Sequence, residues 1–223
     1  MVYGQKHKIL LQTFMHEGLL DENKAKDLVI QLFGNDNVSV IVNQINEQLQ
    51  VLNMLIKKVQ CEITSQVYWV VISTVLDEVT RFQTEFSKAQ LALLRHVFSE
   101  IITSNNRCIQ STVCLNLCSS ADVKLSKTEA EEFLGDIVTR KWLVYKDGFY
   151  FIGPRSITEL MPYFRATYED NLSTCCLCKQ VIFYGKKCGN CESLLHLFCL
   201  QRYAMIHNPM KCPTCNIVLP DDE

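Results

Sequence analysis

The feature that most restricts the fold of this chain is a dense group of cysteines close to residue 200. The chain has 223 residues and 12 cysteines, and most of these cysteines lie between Cys175 and Cys215. Together with one histidine they give the spacing C-x2-C-x9-C-x2-C-x4-H-x2-C-x12-C-x2-C. Four pairs of candidate ligands, all with two intervening residues, are not expected from random placement. A segment of about fifty residues is also too short to be stabilised by a hydrophobic core alone, so metal ions or other cross-links must stabilise its fold.

These residue types in this pattern predict zinc. A structural zinc ion is bound tetrahedrally by four cysteine sulfurs or histidine nitrogens, and a Cys-x2-Cys turn supplies two of them. Two such sites are closed, with no open position for hydrolysis, so the metals are expected to be structural. The spacing alone does not exclude pairing in sequence order. Cys176 and His207 are not expected to bind metal. The candidate ligands are Cys175, Cys178, Cys188, Cys191, His196, Cys199, Cys212 and Cys215.

Composition narrows the class of protein further. The first residues lack the apolar core and cleavage site of a secretory signal, so we expect a reducing compartment, where such clusters bind metal more often than they form disulfides. The longest apolar run, residues 67–72, is far shorter than the ~20 residues of a membrane span, so no membrane is expected. A net charge of −2 excludes a polycationic nucleic-acid wrapper.

The first part of the chain predicts three helices followed by a strand pair. Gly18 and Gly34 are typical helix ends, while Asp21 and Asp36 can begin the second and third helices. Residues 66–74 are mostly β-branched or aromatic, which predicts a strand. This unit, a predicted domain over residues 1–80, is expected to end near residue 77.

The pattern then repeats over residues 81–168. Capping boxes at Ser87 and Ser126 begin two helices, and Asp147-Gly148 between β-rich runs predicts a hairpin. Pro154 predicts one last helix, running past Tyr163. Three bulky residues are expected in the core: Phe133, Leu134 and Trp142.

Two helices followed by a hairpin, in this order, are typical of a winged helix. The predicted fold class is therefore mainly α with small β-hairpins. The predicted organisation is tandem winged-helix domains followed by a zinc finger over residues 169–223. Winged helices often read DNA with the helix before the hairpin. Here that helix carries four acidic residues, which phosphates would repel, so protein docking is favoured over DNA binding. These acids are Glu129, Glu131, Glu132 and Asp136.

The zinc finger resembles the cross-brace fingers of the RING and PHD types. By that resemblance the first site contains Cys175, Cys178, His196 and Cys199, and the second contains Cys188, Cys191, Cys212 and Cys215. A single histidine in fifth position is a PHD-like order, but Met210 stands where PHD fingers usually have an aromatic residue. Leu177 and Pro213 stand where RING ligases contact the ubiquitin-conjugating enzyme. Asn216 replaces the basic residue that RING ligases often have after the last ligand.

Over its whole length the chain resembles one family, the RING-like non-SMC element subunit (non-SMC element one homolog) of the SMC five–six DNA-repair complex. The most specific parts are the segment LSKTEAEEFLGDIVTRKWLVYKDGFYFIGPRS and the set of ligands between Cys175 and Cys215. The resemblance implies two structural Zn2+ ions and a nuclear, chromosome-associated subunit. It also implies a MAGE-family subunit and a kleisin as partners, with DNA contact through the assembled complex.

Two functions of different class follow. The first is a RING-type E3 ubiquitin ligase, weak alone and stimulated by the MAGE-family partner, with Leu177 and Pro213 contacting the conjugating enzyme. The second is a non-catalytic architectural subunit whose zinc finger and winged helices only bind proteins or DNA. No side chain is expected to be catalytic. The sequence has none of the motifs of a phosphate-binding loop, a zinc-protease helix or a nucleophile elbow, which would indicate another enzyme class. The cysteines outside the finger are expected to be packing residues: Cys61, Cys108, Cys114 and Cys118.

Overall fold

The computed structural model describes residues 3–75, 85–120, 124–206 and 210–219. This part of the chain is mostly helical, with four small antiparallel sheets. The predicted domain boundary at residue 80, the expected end of the first unit near residue 77, and His207 all lie outside the described residues. Within them, no helix is both long enough and apolar enough to cross a membrane.

The first unit contains three helices around a three-stranded sheet. Strand β3 (Val67–Ser73) lies in the middle of the sheet, between β1 (Leu19–Asp21) and β2 (Met54–Gln60). Leu10, Phe14, Ile41, Ile45 and Trp69 are among the residues of its buried core. The elements in chain order are α1 (Gln5–Glu17), β1 (Leu19–Asp21), α2 (Glu22–Phe33), α3 (Val38–Leu49), β2 (Met54–Gln60) and β3 (Val67–Ser73).

Local sequence signals explain where these helices begin and end. The Asp21 side chain accepts hydrogen bonds from the N–H groups of the first turn of α2, and Gly18 and Gly34 end α1 and α2 at φ values of 70° and 73°. The third helix begins one residue later than predicted. Its cap is Asn37, whose side chain accepts from the N–H of Val40, and not Asp36.

The second unit repeats this order of elements, and the last strand of its sheet again lies in the middle, between the other two. The capping boxes at Ser87 and Ser126 are both formed, and Asp147-Gly148 makes the predicted hairpin turn, with both residues at positive φ. Phe133, Leu134 and Trp142 are buried, which confirms them as core. The elements are α4 (Lys88–Thr103), β4 (Ile109–Gln110), α5 (Ser111–Asn116), α6 (Lys127–Thr139), β5 (Leu143–Lys146) and β6 (Phe149–Ile152).

The segment after this hairpin differs from its prediction. In place of one helix there are two, α7 (Pro154–Glu159) and α8 (Met161–Tyr168), with a break at Leu160. Pro162 explains the break, because proline has no N–H to donate and its ring clashes with the carbonyl group four residues before it. Helix α7 packs against β2 and β3, so it joins the second unit to the sheet of the first.

The strand order of both units agrees with the predicted winged helices, and that identification stays a prediction, as do the domain boundaries. The sequence reading missed β1 and β4, the short third strands of the two sheets. In α6 the four acidic side chains all lie on the exposed face. The helix therefore presents negative charge to solvent, as expected.

The remaining elements form the zinc finger and lie against both units. Two hairpins, β7 (Ser173–Thr174) with β8 (Val181–Ile182) and β9 (Lys186–Lys187) with β10 (Leu194–Leu195), precede α9 (Leu197–Ala204). Phe183, which follows β8, is buried in the core of the second unit, where its ring centroid lies 5.3 Å from that of Phe164. Tyr184 contacts Phe151 of β6, with 5.0 Å between ring centroids.

Candidate metal centres

Three of the four ligand pairs lie in turns with one shared geometry. In each turn the N–H of the first cysteine donates to the carbonyl oxygen five residues later, and the N–H four residues later donates back to that cysteine's carbonyl. The residue after the second cysteine has a φ near 60° in all three turns: Lys179, Glu192 and Asn216. This backbone turns the two sulfurs of each Cys-x2-Cys pair toward the same point.

The fourth pair lies at the start of a helix. His196 precedes the first residue of α9, and Cys199 is in its first turn. The N–H of Leu200 donates to the carbonyl oxygen of His196 at 2.9 Å, which begins the helix. The side chains of His196 and Cys199 are therefore three residues apart on one side of a helical turn, where such side chains are neighbours.

The structure brings all eight predicted ligands into two groups of four. In each group the candidate ligand atoms all lie within 4.8 Å of one another. The groups interleave along the chain, as the cross-brace resemblance implies, and pairing in sequence order is excluded. The first group is Cys175, Cys178, His196 and Cys199, and the second is Cys188, Cys191, Cys212 and Cys215.

The distances between these atoms fit a tetrahedral zinc ion. With Zn–S bonds of ~2.3 Å, two sulfurs of one tetrahedron are about 3.8 Å apart. The sulfurs of Cys188 and Cys215 are 3.7 Å apart, and those of Cys191 and Cys212 are 3.6 Å apart. In the first group, Nδ1 of His196 lies 3.3 Å from the sulfur of Cys178. These separations are much longer than a disulfide bond of ~2.05 Å, so the sulfurs are not joined in disulfides. Because the separations match the edges of a zinc tetrahedron, each group can bind one zinc ion.

Each group also combines thiols of different acidity. Burial raises the pKa of Cys175, but hydrogen bonds from the backbone N–H groups of Cys178, His196 and Leu177 lower it to about 7. In the second group, hydrogen bonds with the hydroxyl and the N–H of Ser193 lower the pKa of Cys191 to about 6.

One thiol of each group has a raised pKa. Burial is the main reason that the pKa of Cys199 rises to about 12 and that of Cys212 to about 11. Because zinc binds thiolates, a metal ion entering either group would displace the protons that these thiols retain.

A carboxylate that sequence reasoning missed lies behind the histidine of the first group. Glu62, in the turn between β2 and β3, is 3% exposed. Its Oε1 lies 3.0 Å from Nε2 of His196, while Nδ1 of the same ring faces the sulfurs. Burial lowers the pKa of His196, and the hydrogen bond with Glu62 and its charge raise it to about 9. In the sequence, the local sign that Glu62 is buried is its position between two apolar residues, Cys61 and Ile63.

The two residues expected to contact a conjugating enzyme lie in the turns of the first and third Cys-x2-Cys pairs. Leu177 and Pro213 are both half-buried. Leu177 also packs against the small apolar cluster inside the finger, so part of its side chain is structural. Cys176 belongs to neither group, and burial raises its pKa.

Of the cysteines outside the finger, three are buried, as expected of packing residues, and one is only half-buried. The buried ones are Cys61, Cys114 and Cys118, and the half-buried one is Cys108.

Comparison with known proteins gives two family matches. Residues 7–116 match a family described as the Nse1 non-SMC component of the SMC5-6 complex. Residues 175–215, which span all eight candidate ligands, match a family described as a RING-like domain.

Three related proteins are similar to almost the whole of this chain. The Xenopus laevis protein named "Non-structural maintenance of chromosomes element 1 homolog" is 30% identical over 227 residues, which is 98% of this chain and 84% of that protein. The Homo sapiens protein of the same name is 29% identical over 97% of this chain and 84% of its own length. "Non-structural maintenance of chromosomes element 1" of Schizosaccharomyces pombe is 24% identical over 96% and 91%.

A solved structure has the same fold. A chain of the structure titled "Nse1-Nse3-Nse4 complex" superposes with a TM-score of 0.83 at 29% identity, and the match covers 100% of both chains.

Proposed function

This chain belongs to the Nse1 family of non-SMC components of the SMC5-6 complex, and on that premise we propose that it is a chromosome-associated, nuclear DNA-repair subunit with RING-type ubiquitin ligase activity. The observation that supports the ligase best is the pair of interleaved, closed metal centres with Leu177 and Pro213 in their turns. This is the arrangement in which RING ligases bind a conjugating enzyme.

Its partners are proposed from the match to the structure titled "Nse1-Nse3-Nse4 complex". We propose a MAGE-family subunit and a kleisin as its neighbours in the assembly. The helical units would dock these proteins. The acidic exposed face of α6 argues against direct reading of DNA by that helix, so DNA contact is assigned to the assembled complex.

In this proposal the eight residues of the two groups are the zinc ligands. When bound, the two metals supply no reactive group and hold the finger in its fold. Leu177 and Pro213 give the conjugating enzyme an apolar contact. The ligase has no nucleophile of its own, and it raises the rate by holding the charged enzyme close to a substrate lysine, which is a proximity effect.

An architectural role is the alternative, and one residue favours it. Asn216, with φ at 60°, stands directly after the last ligand, where RING ligases often have a basic residue that helps to hold the ubiquitin thioester closed. Without that charge, transfer by the free subunit is expected to be weak. In the alternative the finger only stiffens an interface and no transfer occurs.

A lysine-discharge assay separates the two functions. Conjugating enzymes charged with ubiquitin are mixed with free lysine, and the loss of thioester is followed with the subunit alone and with its MAGE-family and kleisin partners. The ligase proposal expects stimulation by the complex. Absence of stimulation across a broad panel of conjugating enzymes would leave the architectural role.

A variant pair then tests the contact. Leu177→Ala is expected to abolish stimulation while the chain retains both zinc ions, because the lost contact is to the enzyme. Ile217→Ala, a truncation of a 48% exposed apolar residue of the same finger, serves as the matched control and should keep activity. Loss of zinc in Leu177→Ala, measured by native mass spectrometry, would assign Leu177 to the finger's own packing instead.

A further inference from the structure

The contact between Glu62 and His196 joins parts of the chain that are far apart in sequence. Glu62 belongs to the first helical unit, in the turn after β2, while His196 is 134 residues later in the finger. Both side chains are almost fully buried, with 3% and 4% exposed for Glu62 and His196 respectively. A buried carboxylate is costly unless it is fully hydrogen-bonded, so its partners decide whether this arrangement is stable.

The finger supplies the hydrogen-bond donors that Glu62 needs. Oε2 accepts from the N–H groups of Phe183 and Tyr184 at 3.1 and 2.7 Å, and Oε1 lies 3.0 Å from Nε2 of His196. A carboxylate can only accept, so Nε2 must carry its proton toward Glu62. One side chain of the first unit thereby holds both the segment that follows β8 and the candidate ligand His196.

This hydrogen bond fixes the orientation of the imidazole ring. With Nε2 directed at Glu62, Nδ1 is left facing the sulfurs of Cys178 and Cys199, at 3.3 and 3.8 Å. Carboxylates placed behind metal-binding histidines set the tautomer and raise the basicity of the nitrogen that binds the metal.

Other contacts surround this one. The side chain of Arg202 in α9 donates to Oε1 of Gln60 at 2.7 Å, and the Tyr184 ring packs on Phe151. Cys61 and Ile63, on either side of Glu62, belong to the small buried cluster that Tyr184 packs against. Glu62 is therefore part of a continuous interface between the finger and the helical units.

We propose that Glu62 is a positioning residue that couples metal binding in the first group to the docking of the finger on the first helical unit. Zinc at the first group keeps the imidazole in the orientation that Glu62 binds, and Glu62 keeps it in the orientation that zinc binds. Such coupling is reciprocal: loss of the metal weakens docking, and loss of the carboxylate weakens the metal. The second group, which has no histidine, is independent of Glu62.

The proposal rests on the assignment of His196 as a zinc ligand, and the test is arranged to separate the two. The full chain and its variants are saturated with zinc, and transfer to a colorimetric chelator is followed in time. Native mass spectrometry gives the starting content. Cobalt substitution then identifies each group, because cobalt bound by three sulfurs and one nitrogen absorbs differently from cobalt bound by four sulfurs.

Glu62→Ala is expected to weaken metal binding at the first group by roughly 10–100-fold, the usual effect of removing such a partner. The second group should be unchanged. Glu62→Gln keeps the shape and one acceptor oxygen, so it should fall between the wild type and the alanine variant, and it decides the question if Glu62→Ala does not fold. Glu159→Gln alters a buried carboxylate of the second unit, paired to Arg155 at 2.6 Å, and should not change zinc release.

A second pair of variants isolates the role of the imidazole. His196→Cys would give the first group four sulfurs and nothing for Glu62 to orient. If Glu62 acts through the ring, adding Glu62→Ala in that background should cause no further loss of metal from the first group. A loss as large as in the wild-type background would overturn the proposal, and so would equal loss from both groups.

Docking is measured separately, by hydrogen exchange at Phe183 and Tyr184, whose N–H groups donate to Glu62. Their protection should fall both in Glu62→Ala and after zinc removal from the wild type. Unchanged protection in either case would overturn the coupling. A wild-type chain that holds fewer than two zinc ions would instead overturn the zinc assignment itself.

Discussion

The helical units and the zinc finger are stabilised in different ways within one chain. Each helical unit encloses a large buried apolar cluster, with aromatic residues such as Phe14 in the first and Phe98 in the second. The finger's own cluster is small, and two of its buried members are candidate zinc ligands, Cys188 and Cys212. Apolar burial can therefore stabilise the helical units, while the finger is expected to need bound metals to fold.

The starts of the helices show the same difference on a smaller scale. Several helices of the two units begin with a side chain that caps the first turn: Asp21, Asn37, Ser87 and Ser126. Helix α9 of the finger begins after His196, whose side chain makes no capping hydrogen bond. There a candidate zinc ligand stands in the capping position, so a bound metal would fix the start of the helix.

Removal of zinc gives the largest expected effect. Structural zinc contributes ~10–16 kcal/mol per site, so chelation should unfold the finger while the helical units persist. Both tryptophans, Trp69 and Trp142, are buried in the helical units, and their fluorescence therefore reports on those units alone. We expect unchanged tryptophan emission together with fast hydrogen exchange at residues 186–206. Simultaneous loss of both signals would mean that the helical units also depend on the metals.

A core substitution in the first unit should have the next largest effect. Phe14 is 0% exposed, and Phe14→Ala is expected to lower the free energy of unfolding by ~3–5 kcal/mol through lost burial and the cavity left behind. Urea unfolding followed by tryptophan fluorescence measures it. Ile9→Ala in the same helix, at a 42% exposed position, is the control and should change stability little. Zinc content of two ions per chain is expected in both variants, and a fall in Phe14→Ala would show that the two regions are not separable.

Loss of a cap should have the smallest effect. Ser126 accepts a hydrogen bond from the N–H of Glu129, and Ser126→Ala should cost about 1 kcal/mol of stability. Thr128→Ala, two residues along the exposed side of the same helix, should be neutral or slightly stabilising because alanine favours helix. The same urea titration compares them, and equal effects of the two variants would contradict the role of the cap.

Much of the fold could be predicted because its signals are local. Pairs of cysteines with two intervening residues predict the turns that contain the candidate zinc ligands. Glycines end α1 and α2, and the capping boxes at Ser87 and Ser126 begin α4 and α6. The apolar periodicity of α6 was enough to place Phe133 and Leu134 in the core. In each case the residues that make the signal are within a few positions of one another.

The rest depends on contacts that sequence spacing does not show. Strands β1 and β4 have three and two residues, too few for an alternating pattern, and exist because β3 and β6 pair with them. The break before Pro162 was overlooked because the apolar pattern continues across it. Glu62 was missed because a lone acidic residue in a turn is usually solvated, and its partners are more than 120 residues away.

The position of Phe183 affects how the chain can be divided into fragments. The side chain is part of the finger in sequence, yet it fills space beside Phe164 in the interior of the second unit. A fragment that stopped before Cys175 would open that space to water, at a cost of ~1.5–3 kcal/mol for one aromatic side chain. Soluble, well-behaved truncations should therefore be sought beyond Tyr184, or with a smaller polar residue in place of Phe164, which the shorter fragment would expose.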